Sequence, residues 1–382
     1  MTLANLYIKG YDIDWNRIYT NGTWHRIALP TYPFAEERYW IPEQKTPKAV
    51  NDGRHHFTKL HPLIDANTST LEKHEFTVQL RGNEFYLADH IIVGNKVLPA
   101  VAYIEMARAA GEIAGKKRVR SIRNLVWMKP LIIEDQPQDV CVSLNLNGKA
   151  VDYKISKIEE NGRSTLHSQG TIEYDDNENN LSNPNVINIE TIRKRCCGLK
   201  SREDFYKEFH SKGLKLGPSF QSIQELLIGD TEVVSRIKLP DSLAEGAHEF
   251  ILHPALMDGA LQTVSGLIGN DVRECSETVY VPFSIGEVHI HGHLAKECFA
   301  YVTMTPVQSV TDYSVSKFDI WIVNEEGYVL IHLKDLSVRA LDNTSRASKE
   351  ARDEEIISLL EMLSSSKLCA DDVEQRIMKG DK

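Results

Sequence analysis

His90 stands in the run Asp89-His90-Ile91-Ile92-Val93-Gly94-Asn95-Lys96-Val97-Leu98-Pro99, an imidazole among apolar neighbours just ahead of a segment with helical composition. A desolvated imidazole stays neutral near pH 7, and apolar walls exclude competing water, which is the setting a general base needs. Gly94 would let a ligand approach the backbone closely, and a helix beginning after Pro99 would offer free amide hydrogens to a carbonyl. The plain alternative is a satisfied core histidine. A second constellation is His253-Pro254-Ala255-Leu256-Met257-Asp258-Gly259-Ala260-Leu261-Gln262. Asp258 and Gln262 are i and i+4, so they share a helical face and the amide can hold the carboxyl group. An aspartate in an otherwise apolar helix should have its proton affinity raised by desolvation, as a general acid requires. An exposed helix carboxylate is the alternative; position argues against it, because each half of the chain offers one ionisable group at its one apolar helix. The third segment, Lys212-Gly213-Leu214-Lys215-Leu216-Gly217-Pro218-Ser219-Phe220, bends tightly at Gly217-Pro218 and carries Phe220 to line a pocket, or is simply a structural turn.

The elements that must position these residues follow from hydrophobic period. Glu75 to Leu80, Val140 to Leu146 and Val151 to Ile155 alternate at period two and are expected to be strands. Pro99 to Gly115, rich in Ala and Met, is expected to be a helix. The later half repeats this plan: Pro254 opens a helix through Leu256, Leu261, Val264 and Leu267, and Val288 to Leu294, Phe299 to Thr305, Phe318 to Val323 and Tyr328 to Val338 alternate as strands. A helix wrapped by a curved antiparallel sheet, present twice, is an α+β arrangement. The expected divisions are an extended strap over 1–55, an N-terminal unit over 56–175, an Asp/Asn/Glu-rich linker over 176–186, a C-terminal unit over 187–341 and a helical, charged tail over 342–382. The strap carries Trp24-His25-Arg26-Ile27-Ala28-Leu29-Pro30-Thr31-Tyr32-Pro33-Phe34, whose prolines forbid a regular helix and whose aromatics need another surface to cover.

Composition narrows the functional class. The 382 residues carry 44 Lys+Arg against 54 Asp+Glu, a formal charge of −10, which works against a general nucleic-acid binder. No run approaches the ~20 apolar residues of a membrane helix, and the start lacks the regions of a signal peptide, so no membrane and a cytoplasmic location are expected. The six cysteines contain no Cys-x-x-Cys spacing, and reduced structural thiols are expected rather than a disulfide framework or zinc knuckle. Val288-His289-Ile290-His291-Gly292-His293 would put three histidines on one strand face, but no acidic or cysteine ligand is supplied nearby in sequence, and no metal is expected there. His55-His56 and Cys196-Cys197 have no evident partners and are read as structural or incidental.

In this order the His-x3-Gly-x4-Pro loop, the Gly-Pro-x-Phe turn and the Asp-x3-Gln helix after His-Pro resemble the dehydratase domains of modular polyketide synthases, over roughly 57–341. His61-Pro62-Leu63 and Val281-Pro282-Phe283 are similar to that family's recurrent short motifs. The strap, with Leu29-Pro30-Thr31-Tyr32-Pro33-Phe34 and Arg38-Tyr39-Trp40, resembles the end of a preceding ketosynthase region, as in a synthase whose acyltransferase acts in trans. The resemblance implies a double hot-dog fold, two antiparallel sheets each wrapped around a long helix. It implies dehydration of a 3-hydroxyacyl thioester held on an acyl carrier protein, with His90 and Asp258 as the catalytic pair supported by Gln262, Gly94 and Pro99. Leu214, Leu216, Gly217, Pro218, Phe220, Val281, Pro282 and Phe283 would then line the substrate tunnel. The phosphopantetheine arm belongs to the carrier protein, so no bound cofactor is implied, and the expected partners are that carrier, neighbouring synthase domains and a second copy in a homodimer. Leu214 and Leu216 replace two tyrosines of the family turn, which makes the pocket more apolar and puts one substrate contact in doubt. A variant that shifts a double bond or closes a ring, and a catalytically silent scaffold binding the carrier, are the competing readings; Pro99 and Asp258 favour dehydration. Because carrier proteins are generally acidic, docking needs a local basic patch, and Lys116, Lys117, Arg118 and Arg120 form the best candidate.

Overall fold

The computed structural model describes residues 2–18, 22, 59–134, 136–159, 162–175, 186–268, 279–305 and 317–340. Most of the expected strap, the linker over 176–185 and the tail over 342–382 lie outside the described residues, as do His55, His56, Cys275 and Cys369. The chain divides into two units, 1–55 and 56–382. In the first, α1 (Leu3–Ile8) and α2 (Trp15–Ile18) are helical where an extended strap was expected. Leu3, Leu6 and Tyr7 recur at helical spacing, and the rings of Tyr7 and Trp15 meet edge-on at 5.5 Å.

The second unit begins with β1 (Ala66–Asn67), β2 (His74–Leu80), α3 (Phe85–Ala88), β3 (His90–Ile92), β4 (Asn95–Val97), α4 (Ala100–Gly115), β5 (Val119–Trp127), β6 (Ile132–Ile133), β7 (Gln138–Asn147), β8 (Ala150–Ile158) and β9 (Ser164–Tyr174). It continues with α5 (Ile189–Arg195), β10 (Gly198–Ser201), α6 (Arg202–Ser211), β11 (Leu214–Leu216), β12 (Ile223–Ile228), β13 (Glu232–Lys238), α7 (Pro254–Thr263), α8 (Ser265–Ile268), β14 (Tyr280–Ile290), β15 (Glu297–Thr305), β16 (Lys317–Val323) and β17 (Val329–Ala340). The two expected sheets meet edge to edge through the antiparallel pair β5 and β14, with Leu125 opposite Ile285, to form one 13-stranded sheet. A hydrogen-bonded seam of this kind removes two exposed sheet edges.

Helix α4 is Ala-rich and apolar apart from the stripe Glu105, Arg108 and Glu112, and every residue from Val101 to Gly111 is buried. That composition suits a helix enclosed on all sides rather than an amphipathic surface helix. It packs on β5, β7, β8 and β9, while α7 packs on β12, β13, β15 and β16, and the two helices also touch each other. Fully buried side chains such as Ile104 and Met106 each contribute about 1.5–3 kcal/mol by leaving water. The second long helix is shorter than its sequence period suggests and breaks at Val264. Thr263 Oγ1 donates to Gly259 O and Ser265 Oγ to Gln262 O, and such side-chain bonds compete with the helical ladder at the break. No helix among the described residues is long and apolar enough to cross a membrane.

A second, four-stranded sheet, in the order β11-β3-β4-β6, carries His90. Its edge strand β11 comes from the C-terminal half, and its other three strands come from the N-terminal half.

Candidate active site

His90 opens β3, and β3 and β4 form a hairpin whose turn residues, Val93 and Gly94, have φ of 47° and 82°. Two consecutive positive φ values define the turn that matches strand twist, so Gly94 is required by the bend itself. Gly94 is exposed at the hairpin tip. The bend thus gives Gly94 a conformational role of its own, and the residues after Pro99 offer the free amides of a helix start. Pro99, at φ −58°, precedes α4, where its missing N–H costs nothing.

The His90 side chain is 7% exposed. Its Nδ1 lies 2.7 Å from Val97 O. A carbonyl oxygen only accepts, so Nδ1 carries the proton and Nε2 is left with the free lone pair. Strand β11 pairs with β3 so that Leu216 sits opposite His90 and Leu214 opposite Ile92. The turn that follows brings the Phe220 ring to 5.1 Å from the His90 ring, and Phe220 is fully buried. Asp89 fastens this turn: its main-chain O accepts from Gly217 N at 2.8 Å and its Oδ2 from Ser219 N at 2.9 Å.

Gly217 has no room for a side chain, since a methyl there would overlap the Asp89 carboxylate and come within 2.8 Å of its Cβ. Gly217→Ala is therefore expected to lower stability by about 1–3 kcal/mol, as overpacking does. A denaturant midpoint equal to that of the unmodified chain would contradict this account of the turn.

Asp258 projects from α7 and is 8% exposed. Gln262 Nε2 donates to Asp258 Oδ2 at 2.7 Å and to Phe220 O at 3.0 Å, while Gln262 Oε1 accepts from the Tyr206 hydroxyl at 3.1 Å. Burial raises the Asp258 carboxyl above its ordinary value; a charge on His90, present only when its ring is protonated, and the Gln262 hydrogen bond oppose that rise without cancelling it. The two groups are thus close enough to feel each other, although one is carried by a hairpin of the N-terminal half and the other by a helix of the C-terminal half. An imidazole whose Nε2 keeps its lone pair and a carboxyl biased toward its protonated form are the complementary groups that removing one proton and delivering another requires.

Asp89 and Tyr206 escaped the sequence reading as positioning groups. Asp89 had a signal, its adjacency to His90, whereas Tyr206 meets Gln262 only through folding. Val281, Pro282 and Phe283 lie half-buried at the start of β14, with the Arg339 guanidinium 5.2 Å from the Phe283 ring. Among the described residues no hydrogen bond or ring contact ties these three to His90 or Asp258. Pro218 is exposed, and Leu214, Leu216 and Gly217 are half-buried. Lys116, Lys117, Arg118 and Arg120 are exposed at the far end of the 16-residue helix α4 from Pro99, about 24 Å away at the usual helical rise. Arg118 donates to His291 O at 2.8 Å. The expected row of three histidines on one strand face does not form, because β14 ends at Ile290 and His293 falls beyond it. Contrary to the expectation that no acidic group lies near this run, Glu287 directly precedes it, and His289 pairs with Glu287 Oε2 at 2.7 Å and stacks on His332 and His291.

The sequence matches two family models: "Polyketide synthase dehydratase domain" over 61–157 and "Polyketide synthase dehydratase N-terminal domain" over 188–348. It is 33% identical to polyketide synthase PksM of Bacillus subtilis over 363 residues, covering 92% of this chain and 8% of that protein. The chain thus spans less than a tenth of the length of that relative. A trans-AT polyketide synthase dehydratase domain from Brevibacillus brevis superimposes with a TM-score of 0.68 at 31% identity, covering 74% of this chain and 99% of that one. The dehydratase of the CurK module of the curacin synthase is similar as well. Its aspartate-to-asparagine form, described as an inactive mutant, gives a TM-score of 0.66 at 25% identity over 74% of this chain and 99% of that one. Its histidine-to-phenylalanine form, also described as inactive, gives 0.64 at 25% over 73% and 97%.

Proposed function

Because the chain belongs to the polyketide synthase dehydratase family, we propose that it removes water from a 3-hydroxyacyl thioester during polyketide assembly, with His90 as base and Asp258 as acid. His90 Nε2 takes the α-proton, which the thioester acidifies. Electrons of the C–H bond form the new double bond as the β C–O bond breaks, and protonated Asp258 gives its proton to the departing hydroxyl. The products are an α,β-unsaturated thioester and water, after which a proton returns from His90 to Asp258 to restore the starting state. Free amides at the start of α4 stabilise the developing enolate oxygen. Gln262 and Tyr206 steady the acid; Val97 O holds the base in its working tautomer. Leu216, opposite His90 in the β11–β3 pair, and Phe220 contribute apolar wall to the substrate site.

The observation that carries this reading is the pairing of a tautomer-locked imidazole with a carboxyl whose proton affinity burial has raised, within electrostatic reach of each other. The inactive aspartate and histidine variants of the CurK dehydratase support it by analogy. The substrate arrives on the phosphopantetheine arm of an acyl carrier protein, and neighbouring synthase domains, with an acyltransferase acting in trans, complete its setting in the cytoplasm. A homodimer is the assembly this reading takes. The proton transfers need no group beyond the side chains named. Incubation with a 3-hydroxyacyl-pantetheine is expected to produce a species lighter by one water in the mass spectrum; an unchanged substrate mass at saturating enzyme would overturn the assignment.

A further inference from the structure

A buried charge cluster that takes no part in the proton transfers joins the two helices of the site. Glu105, one turn into α4, is wholly inaccessible to solvent. Its Oε1 accepts from His61 Nε2 at 3.2 Å, Arg108 Nη2 at 2.8 Å and Ile251 N at 3.0 Å. Its Oε2 accepts from Arg108 Nε at 2.6 Å and Leu252 N at 3.2 Å. His61 Nδ1 accepts from Leu63 N at 3.1 Å, so the proton of a neutral His61 sits on Nε2 and points at Glu105. Arg108 also donates to Glu112 at 2.8 Å. Burial alone would raise the Glu105 carboxyl, but hydrogen bonds from His61 and Arg108 and the Arg108 charge outweigh it, and the group is held below its ordinary value.

The two backbone amides matter most, because Ile251 and Leu252 immediately precede His253, the residue that leads into α7. His253 Nδ1 accepts from Ala255 N at 3.2 Å and so caps that helix. Burial pushes the His253 imidazole down to about 4, with the Glu105 charge opposing, so it caps as the neutral ring. The rings of His61, Phe85, Phe250 and His253 pack around the junction. Burying a carboxylate is costly, and well-packed apolar side chains commonly serve stability as well or better. A carboxylate with five donors aimed at it instead specifies position.

We infer that Glu105 is a positioning residue: from α4 it latches the Phe250–His253 segment, and thereby sets where α7 carries Asp258 relative to His90. This role deepens the proposed dehydration and rests on it for its kinetic consequence. A carboxylate-to-amide change keeps the size of the side chain but turns a donor toward Arg108 and the backbone amides.

In the full chain, Glu105→Gln is expected to lower kcat about 10- to 100-fold, the scale of a small misplacement of reacting groups, with KM held within about twofold. Exchange of the Ile251 and Leu252 amides with solvent deuterium is expected to quicken at least about tenfold, as an opened latch requires. His61→Gln, whose amide can still donate to Glu105, should keep kcat within about threefold of wild type, whereas His61→Leu should fall about tenfold or more. Wild-type kcat and amide exchange in Glu105→Gln would overturn the latch. Should that variant fail to fold, equal kcat in His61→Gln and His61→Leu would overturn it instead. A merely structural role would lower the melting temperature of both His61 variants without separating their kcat values, and that result also counts against it. Wild-type chain that leaves the thioester intact would strike the proposed dehydration, and the latch would then stand or fall on amide exchange alone.

Discussion

Replacing His90 by alanine is expected to slow water loss from a 3-hydroxyacyl thioester about a hundred- to ten-thousand-fold, the usual yield of a positioned base. The size of the effect follows from what surrounds it. Nδ1 is spent on Val97 O, so Nε2 is the lone pair this residue offers, and the ring is buried with Phe220 5.1 Å from it and Leu216 opposite it in the strand register. Single-turnover mass spectrometry measures the rate, and binding of an unreactive acyl-pantetheine analogue reports whether the pocket survives. A rate within about threefold of wild type, with the analogue still bound, would remove His90 from the role of base.

Asp258→Asn is the companion case, with a loss of about a hundredfold or more because asparagine has no proton to give the leaving hydroxyl. Here stability should move against activity. The folded-state carboxyl lies above its ordinary value, so the folded chain retains a proton that the unfolded chain, titrating near ~3.9, has released. Stability from this group is fully present below about pH 4 and is lost as the pH rises through the folded value. Asparagine carries no such penalty. Its melting temperature, relative to wild type, should rise as the pH goes from about 4 toward 8 and level off once Asp258 is ionised. A constant difference across that range would mean that Asp258 is not desolvated as the structure has it. Full turnover in the asparagine variant would assign the acid elsewhere.

Much of the fold was legible because burial leaves a period in the chain. The strands at β2, β7, β8, β15 and β16 alternate, and α4 carries an Ala-rich apolar run after a proline. Periodicity records that a face is buried and not what covers it. It therefore did not reveal that β5 and β14 fuse the two halves into one sheet, that β11 crosses to pair with β3, or that α7 breaks at Val264. The His-x3-Gly-x4-Pro spacing is visible in the sequence, but the conformation each member adopts is not. The positive φ of Gly94 at an exposed turn gives that glycine a part in the hairpin's geometry.

By itself the sequence determined which groups are chemically able to act: a histidine in an apolar run, an aspartate with a glutamine one turn away, and a glycine-proline bend ending in phenylalanine. Those are properties of residue type and local spacing, which survive in one dimension. Only the tertiary structure decided that His90 and Asp258 lie within electrostatic reach of each other, that Val97 O selects the imidazole tautomer, and that burial raises the carboxyl. It also decided that Glu105 on one helix holds the backbone leading into the other. Each of these depends on the distance between segments remote in sequence, and desolvation and hydrogen-bond partnership arise only when such segments close around the same space.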